Sequence, residues 1–527
     1  MPVFRWSIFI VLILAALCAV SAPSASFAQS SNSSDAITIG TIDLPNALDP
    51  GEAYDFATWE VLGHLYTGLT RQIPGSLDYE LALAQEVTVS DDRLTYTFVL
   101  RDDAVFSDGT PITARTFVVS IERVLALGRD AAQAVEPYVE RVTAVNETTL
   151  EFRLKRPVPY FLGLLALPPY FPMHPTLAQR SRPNPFAEGG LIGNGPYLLD
   201  TFEVGDQIIL TANPAYDLGP QPATPTIVLR AFRRSQDLRD AVRAHQVDLA
   251  WRALYPGHVF ELEEAAVEGL TIYNQPGVRT FYLYMGQDRE PAEDPLVRKA
   301  VTLLLKRQTV IDQFRGYATP LTSLVPDLFP DAYAPLWPAA PDVSLAEETL
   351  RQAGYRARGD ARLGVSISFS EPAYGNFLAN AVALMGRRSF DETQFVSYGV
   401  FLDIDTSTFT RMLERGEAMF AIFGWTPIVP HPAAYLYPLA HSDNPIPRNG
   451  KYANPAIDDL LDQAALLDDP AAQGELYREA SALLLEDYAL MPLWQDHLVL
   501  VAWDDIEGVQ MEANGFLHYE QLARTGS

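Results

Sequence analysis

The chain is nearly devoid of cysteine: one in 527 residues, Cys18, inside an apolar amino-terminal run. Leu17 precedes it, where a lipid-attachment site would carry a small residue. Once that segment is removed no thiol remains, which excludes disulfides, thiolate metal sites and a cysteine nucleophile. Basic residues are also scarce. Thirty-eight Lys and Arg stand against 66 Asp and Glu, a net charge of -28. A field of that sign repels nucleic acid and anionic head groups, so neither is an expected partner, and it serves solubility.

The usual marks of catalysis are missing as well. There is no GxSxG elbow, no HExxH zinc helix, no P-loop and no GxGxxG after a strand. The eight histidines, His64, His174, His245, His258, His431, His441, His497 and His518, are scattered. None has the i, i+4 spacing of a helical metal pair, and no cofactor or metal is expected. Carboxylates are so abundant that no pair stands out as acid and base. A secreted hydrolase is the contrasting reading, but it lacks a recognisable catalytic set, and a non-enzyme is expected.

What is present begins with an export signal. Arg5 precedes the apolar run 8–20, and small residues then end in Ser26-Phe27-Ala28. This is the pattern of a secretory signal peptide, 1–28, cleaved after Ala28. The run is shorter than the ~18 apolar residues that span a bilayer. The mature chain of about 500 residues is long enough for two to four compact units at ~100–200 residues each. With 48% hydrophobic and 11% aromatic residues, nothing beyond the polar stub 30–34 reads as disordered.

Strands and helices alternate irregularly, without a long linker or an internal repeat, which favours mixed α/β domains. Strands are predicted at 36–42, 96–100, 150–154, 197–202 and 207–212 from alternating apolar residues. In FSDGTPITA, 106–114, Asp108-Gly109 supplies a turn and Thr113 an N-cap, after which Phe117, Ile121, Val124 and Leu125 share a helical face. Asp294-Pro295, Asn454-Pro455 and Asp469-Pro470 each read as a capped helix start. Ser344 and Glu347 read as a capping box, with Gly354 ending that helix. Aromatic residues gather at Tyr273, Phe281, Tyr282 and Tyr284 around Arg279, and at Phe423 to Trp425 near Tyr435 and Tyr437. Such faces suit a ligand cleft, and each ring would suit a core equally.

Taken in order, ALDP at 47–50, LYTGLT at 65–70, TYTFVLRDDAVFSDGTPITA at 95–114, GNGPYLL at 193–199, DPLVRKAV at 294–301, LRQAGY at 350–355, FGWT at 423–426 and YANPAIDDLL at 452–461 resemble the bacterial extracellular solute-binding proteins of family 5, the oligopeptide and dipeptide type. The similarity runs over essentially the whole mature chain. It implies a large, three-domain type II periplasmic-binding-protein fold of α/β lobes with hinge strands. Projected onto this chain, lobe I combines 36–77, 190–275 and 489–527, an extra domain is inserted at 78–189, and lobe II covers 276–488. The resemblance implies a periplasmic, monomeric protein that holds an oligopeptide or peptide-like solute between the lobes and delivers it to an ABC-type permease. In the family an extended ligand pairs with the protein backbone, its side chains sit in wet pockets, and ligand favours the closed hinge.

By position, FGWT then places the backbone of Gly424 and Trp425 along the ligand, with the Trp425 ring as a wall and the segment 44–46, ending in Asn46, opposite. Tyr282 and Tyr284 follow the family's aromatic strand. Arg279 could pair with a ligand carboxylate or form a hinge salt bridge. His431 lies in VPHP, where relatives often carry an acidic residue before the proline, and is read as a ligand contact. One position departs from the pattern. Peptide-binding relatives usually have an aspartate three residues after this tryptophan, pairing with the ligand ammonium, and this chain has Ile428. A buried ammonium without a counter-charge costs several kcal/mol. Another carboxylate therefore serves, the ligand is blocked at its amino end, or the solute is not a peptide but an opine, a sugar conjugate, or a nickel or haem complex.

Overall fold

Ala36–Thr41 extends as alternation predicts and pairs in parallel with Thr226–Ala231. A computed structural model of the protein describes residues 35–188, 190–252, 254–338, 340–370 and 376–525, and the signal segment expected at 1–28 lies outside them. The framework is an eleven-stranded sheet. Two long antiparallel neighbours, Leu270–Met285 and Leu490–Trp503, run through its middle.

Different strands attach to the two halves of this central pair. Leu249–Ala250 joins Ala502 and Val501, and beyond it lie Ala36–Thr41, Thr226–Ala231, Gln207–Ala212 and Tyr197–Glu203. Phe420–Trp425 pairs with the opposite half, Thr280 to Met285, and continues into Leu363–Phe369 and Val396–Asp403. Between the halves the register breaks at 276–280. Backbone groups released there need other partners. Gln495 Nε2 donates to Gly277 O at 2.7 Å, Tyr435 Oη to Val278 O at 2.5 Å, and the Val278 amide to Ala513 O at 2.9 Å.

A separate four-stranded antiparallel sheet is made by Ala84–Val89, Thr95–Leu100, Thr149–Leu154 and Val139–Ala144, with helix Ala114–Leu127 packed on it. Phe117, Ile121 and Val124 are buried, as their spacing predicts, but Leu125 is exposed and Val118 takes its place. Leu125 lies about 100° beyond Val124 around the helix, off the apolar stripe. Asp294, Asn454 and Asp469 cap their helices, accepting from the amides of Leu296, Ala456 and Ala472. The box expected at Ser344 is displaced. Asp342 caps helix Val343–Gln352, accepting from Leu345 N at 2.9 Å, while Glu347 accepts from Thr393 Oγ1.

Two of the sequence motifs acquire structural roles. In ALDP, Asp49 is fully buried and pairs with both terminal nitrogens of Arg123 at 2.8 and 2.7 Å, also accepting from the amides of Gly51 and Asn184. This carboxylate fixes the 114–184 segment to the turn after the first strand. In GNGP, Asn194 both accepts from and donates to the Thr67 backbone at 3.1 Å.

Candidate functional site

Where the central strand pair loses register, the chain encloses a cavity of about 560 Å³, within the usual range of small-molecule sites. Its walls come from both halves of the sheet. One side offers Asp43, at the end of the first strand, with Arg252 and Tyr255. The other offers Arg279, Gly424 and Tyr317. Asp496 and His497 of the strand Leu490–Trp503 form part of the lining. Across the rim, Tyr317 Oη donates to Glu263 Oε1 at 2.5 Å and Arg315 pairs with Glu264 at 2.9 Å, joining the two halves.

Arg279 is set by its neighbours. Its guanidinium lies 4.9 Å over the Phe281 ring, which is stacked on Trp494, and 3.9 Å from the Asp496 carboxylate. Asp496 is buried and accepts from Trp494 Nε1 at 3.1 Å. A β-carbon at Gly424 would stand 3.1 Å from Arg279 Nη2 and 3.2 Å from Phe281. Glycine there admits the guanidinium against the strand end. Arg279 and Gly424 are thus brought together on the cavity wall.

Asp43 and Arg252 supply charge on the opposite wall. Asp43 keeps an exposed side chain, but the protein packed around its carboxyl partly desolvates it and raises it above its ordinary range; Arg252 opposes this, and Asp55 and Glu60 add to it. Arg252 Nη2 donates to Glu60 at 3.2 Å and to the Gly515 carbonyl. Burial lowers the His497 imidazole. Its Nδ1 contacts Asn274, and its buried Nε2 has no hydrogen-bond partner among the described residues.

The remaining candidates lie elsewhere. Asn46 is exposed and does not line the cavity; Asp43 does so three residues earlier. Trp425 is half-buried, its Nε1 held by Ala434 O at 3.0 Å, and Thr426 lines the cavity in its stead. Tyr282 is fully buried, its hydroxyl donating to Leu324 O at 2.5 Å, and Tyr284 is core, with burial raising it to about 12. His431 accepts from Ala433 N at 3.1 Å and packs 5.7 Å from the Tyr160 ring; burial lowers it to about 4. Ile428 is half-buried against the core. Sequence reasoning missed Asp43, Arg252, Asp496 and His497. The signal for the last two is Gln495-Asp496-His497, a polar break in an otherwise apolar strand.

Residues 78–446 match the model of bacterial extracellular solute-binding proteins, family 5 middle. Over 501 residues the chain is 25% identical to the probable D,D-dipeptide-binding periplasmic protein DdpA of Escherichia coli K12, covering 91% of this chain and 92% of the relative. It is 27% identical over 482 residues to the glutathione-binding protein GsiB of Escherichia coli O1:K1, covering 86% and 87%. The solved structure of HbpA2 from Haemophilus parasuis superposes with a TM-score of 0.80 at 17% identity, covering 93% of this chain and all of that one.

Proposed function

The chain belongs to the bacterial extracellular solute-binding proteins of family 5, and on that premise we propose that it captures a small peptide or peptide-like solute in the cavity at the broken strand pair and passes it to an ABC-type permease. The observation that carries this is the charge arrangement of the lining. Asp43 on one wall and Arg279 on the other offer counter-charges for an ammonium and a carboxylate. Asp43 then answers the question raised by Ile428: the acid has moved to the end of the first strand. The relatives named for a D,D-dipeptide and for glutathione accord with a ligand of this size and charge.

In this reading residues 36–77, 190–275 and 489–527 form one lobe, 276–488 the other, and 78–189 the inserted domain. The strands Leu270–Met285 and Leu490–Trp503 are the hinge. Ligand favours the closed state because only there do Asp43 and Arg279 both reach it. Residues 1–28 direct export to the periplasm, and the chain performs no chemistry on its cargo. A second reading, a solute without a free ammonium such as an opine or a sugar conjugate, is favoured by the apolar setting of Ile428.

Calorimetry with di- and tripeptides and their N-acetyl counterparts tests this. Free-amine peptides should bind one to one without turnover, and Asp43→Asn should weaken them about tenfold while leaving acetylated ones unchanged. Hydrolysis of the peptide, or a preference for acetylated peptides in the native chain, would count against it.

A further inference from the structure

Two segments far apart in sequence meet in reverse order. The guanidinium carbon of Arg156 lies 3.8 Å over the Tyr437 ring, the Tyr160 ring packs 5.7 Å from that of His431, and a β-carbon at Gly163 would overlap Val429 Cγ1. The first segment falls in 78–189, the inserted domain of the reading above. The second follows directly on the cavity wall at Gly424 and Thr426. Resting on that solute-binding reading, we propose that the inserted domain is a latch: Arg156, seated on Tyr437, holds the cavity in its closed form and slows release of the solute.

The latch segment is stiff. Arg156-Pro157-Val158-Pro159-Tyr160 leaves the strand Thr149–Leu154 with two prolines, whose rings fix φ, and Val158 between them is buried. Arg156 is half-buried, and among the described residues no carboxylate stands within ion-pair distance of it. Its guanidinium is instead placed by two rings, Tyr437 and, at 5.8 Å, Tyr138. A partly desolvated cation over an aromatic face is attracted to it without an acid.

The facing element is tied to the site. Tyr437 stands on helix Ala433–Ala440. Two residues earlier, about 200° round that helix, Tyr435 Oη donates to Val278 O inside the register break of the central strand pair. Ala434 O accepts from Trp425 Nε1 at the end of the cavity strand. A movement of the strand end or of the broken register therefore carries Tyr437 with it. Arg93 of the inserted domain pairs with Asp468, a further tie to the same lobe. Contacts made only when the lobes are together favour the closed state by their own free energy, with or without a ligand.

Residues 29–527 contain no cysteine, so spin labels can be set at Val145→Cys in the inserted domain and Asp459→Cys in the facing lobe, both exposed. In the ligand-free protein the distance between the labels should lengthen in Arg156→Ala and stay native in Arg156→Lys, which keeps a cation over the ring. With alanyl-alanine as probe, Arg156→Ala should raise the dissociation rate about fivefold at an unchanged association rate, while thermal unfolding remains cooperative. Tyr437→Leu removes the ring from the other side and should reproduce both effects, which decides the matter if Arg156→Ala does not fold. Native label distances in Arg156→Ala, an equal effect of Arg156→Lys, or a loss carried by the association rate would overturn the proposal. If alanyl-alanine does not bind the native chain, the peptide reading fails and the label distances still decide the latch.

Discussion

Arg279 lies across Gly424, its Nη2 3.1 Å from where a β-carbon would stand, and the Phe281 ring closes the same space from the other side. Gly424→Ala therefore displaces the guanidinium by at least a few tenths of an ångström from its place beside Asp496. Peptide affinity should fall about tenfold, roughly 1.4 kcal/mol, with the melting temperature nearly unchanged. Calorimetry beside a thermal scan separates these. Wild-type affinity in the variant would remove Arg279 from the binding wall.

Asp49 and Arg123 form a buried bidentate pair, 0% and 4% exposed. Removing one partner strands the other charge, so Asp49→Ala should cost about 3–5 kcal/mol. Replacing both, Asp49→Leu with Arg123→Met, should recover much of that loss. Denaturant unfolding of the native chain and the two variants checks it, and a double variant no more stable than the single would show that the amides of Gly51 and Asn184 matter more than the charge.

His518 gives the fold a pH dependence whose sign is fixed. Its folded pKa, raised to about 9, lies above the ordinary value of 6.5. The stability it adds is fully present below about pH 6.5 and is lost as pH rises through 9. Melting temperature should therefore fall across that window, and His518→Gln should flatten the decline. An unchanged slope in the variant would assign the dependence to other groups.

Local features were legible in the sequence because their causes are local. Asp294-Pro295 and Asn454-Pro455 cap helices whatever surrounds them. Ser344 misled because Asp342, two residues earlier, offers a better-placed carboxylate to the same first turn. In the candidate site the limit was geometric. Side chains along a strand alternate, so Tyr282 and Tyr284 share a face that Arg279 does not, and pairing with Phe420–Trp425 runs unbroken through Thr280 to Met285, which keeps that alternation intact. Trp425 follows Gly424 in FGWT, but its ring is drawn to Ala434 O. Asp43 is one of 66 acidic residues, and only the folding of the first strand against Arg252 singles it out.

Asn514 stands in the wall of the solute cavity and in that of a second cavity, of about 400 Å³, between helix Phe56–Leu65 and the stretch 512–521, its amide donating to Gln72 Oε1 at 3.0 Å. A molecule in either chamber that shifts this side chain reshapes the other. Linkage then demands reciprocity: whatever factor an occupant of the second cavity applies to solute affinity, the solute must apply to that occupant's affinity. A carrier wired in this way would hold its cargo with a tightness set in part by what fills the neighbouring chamber.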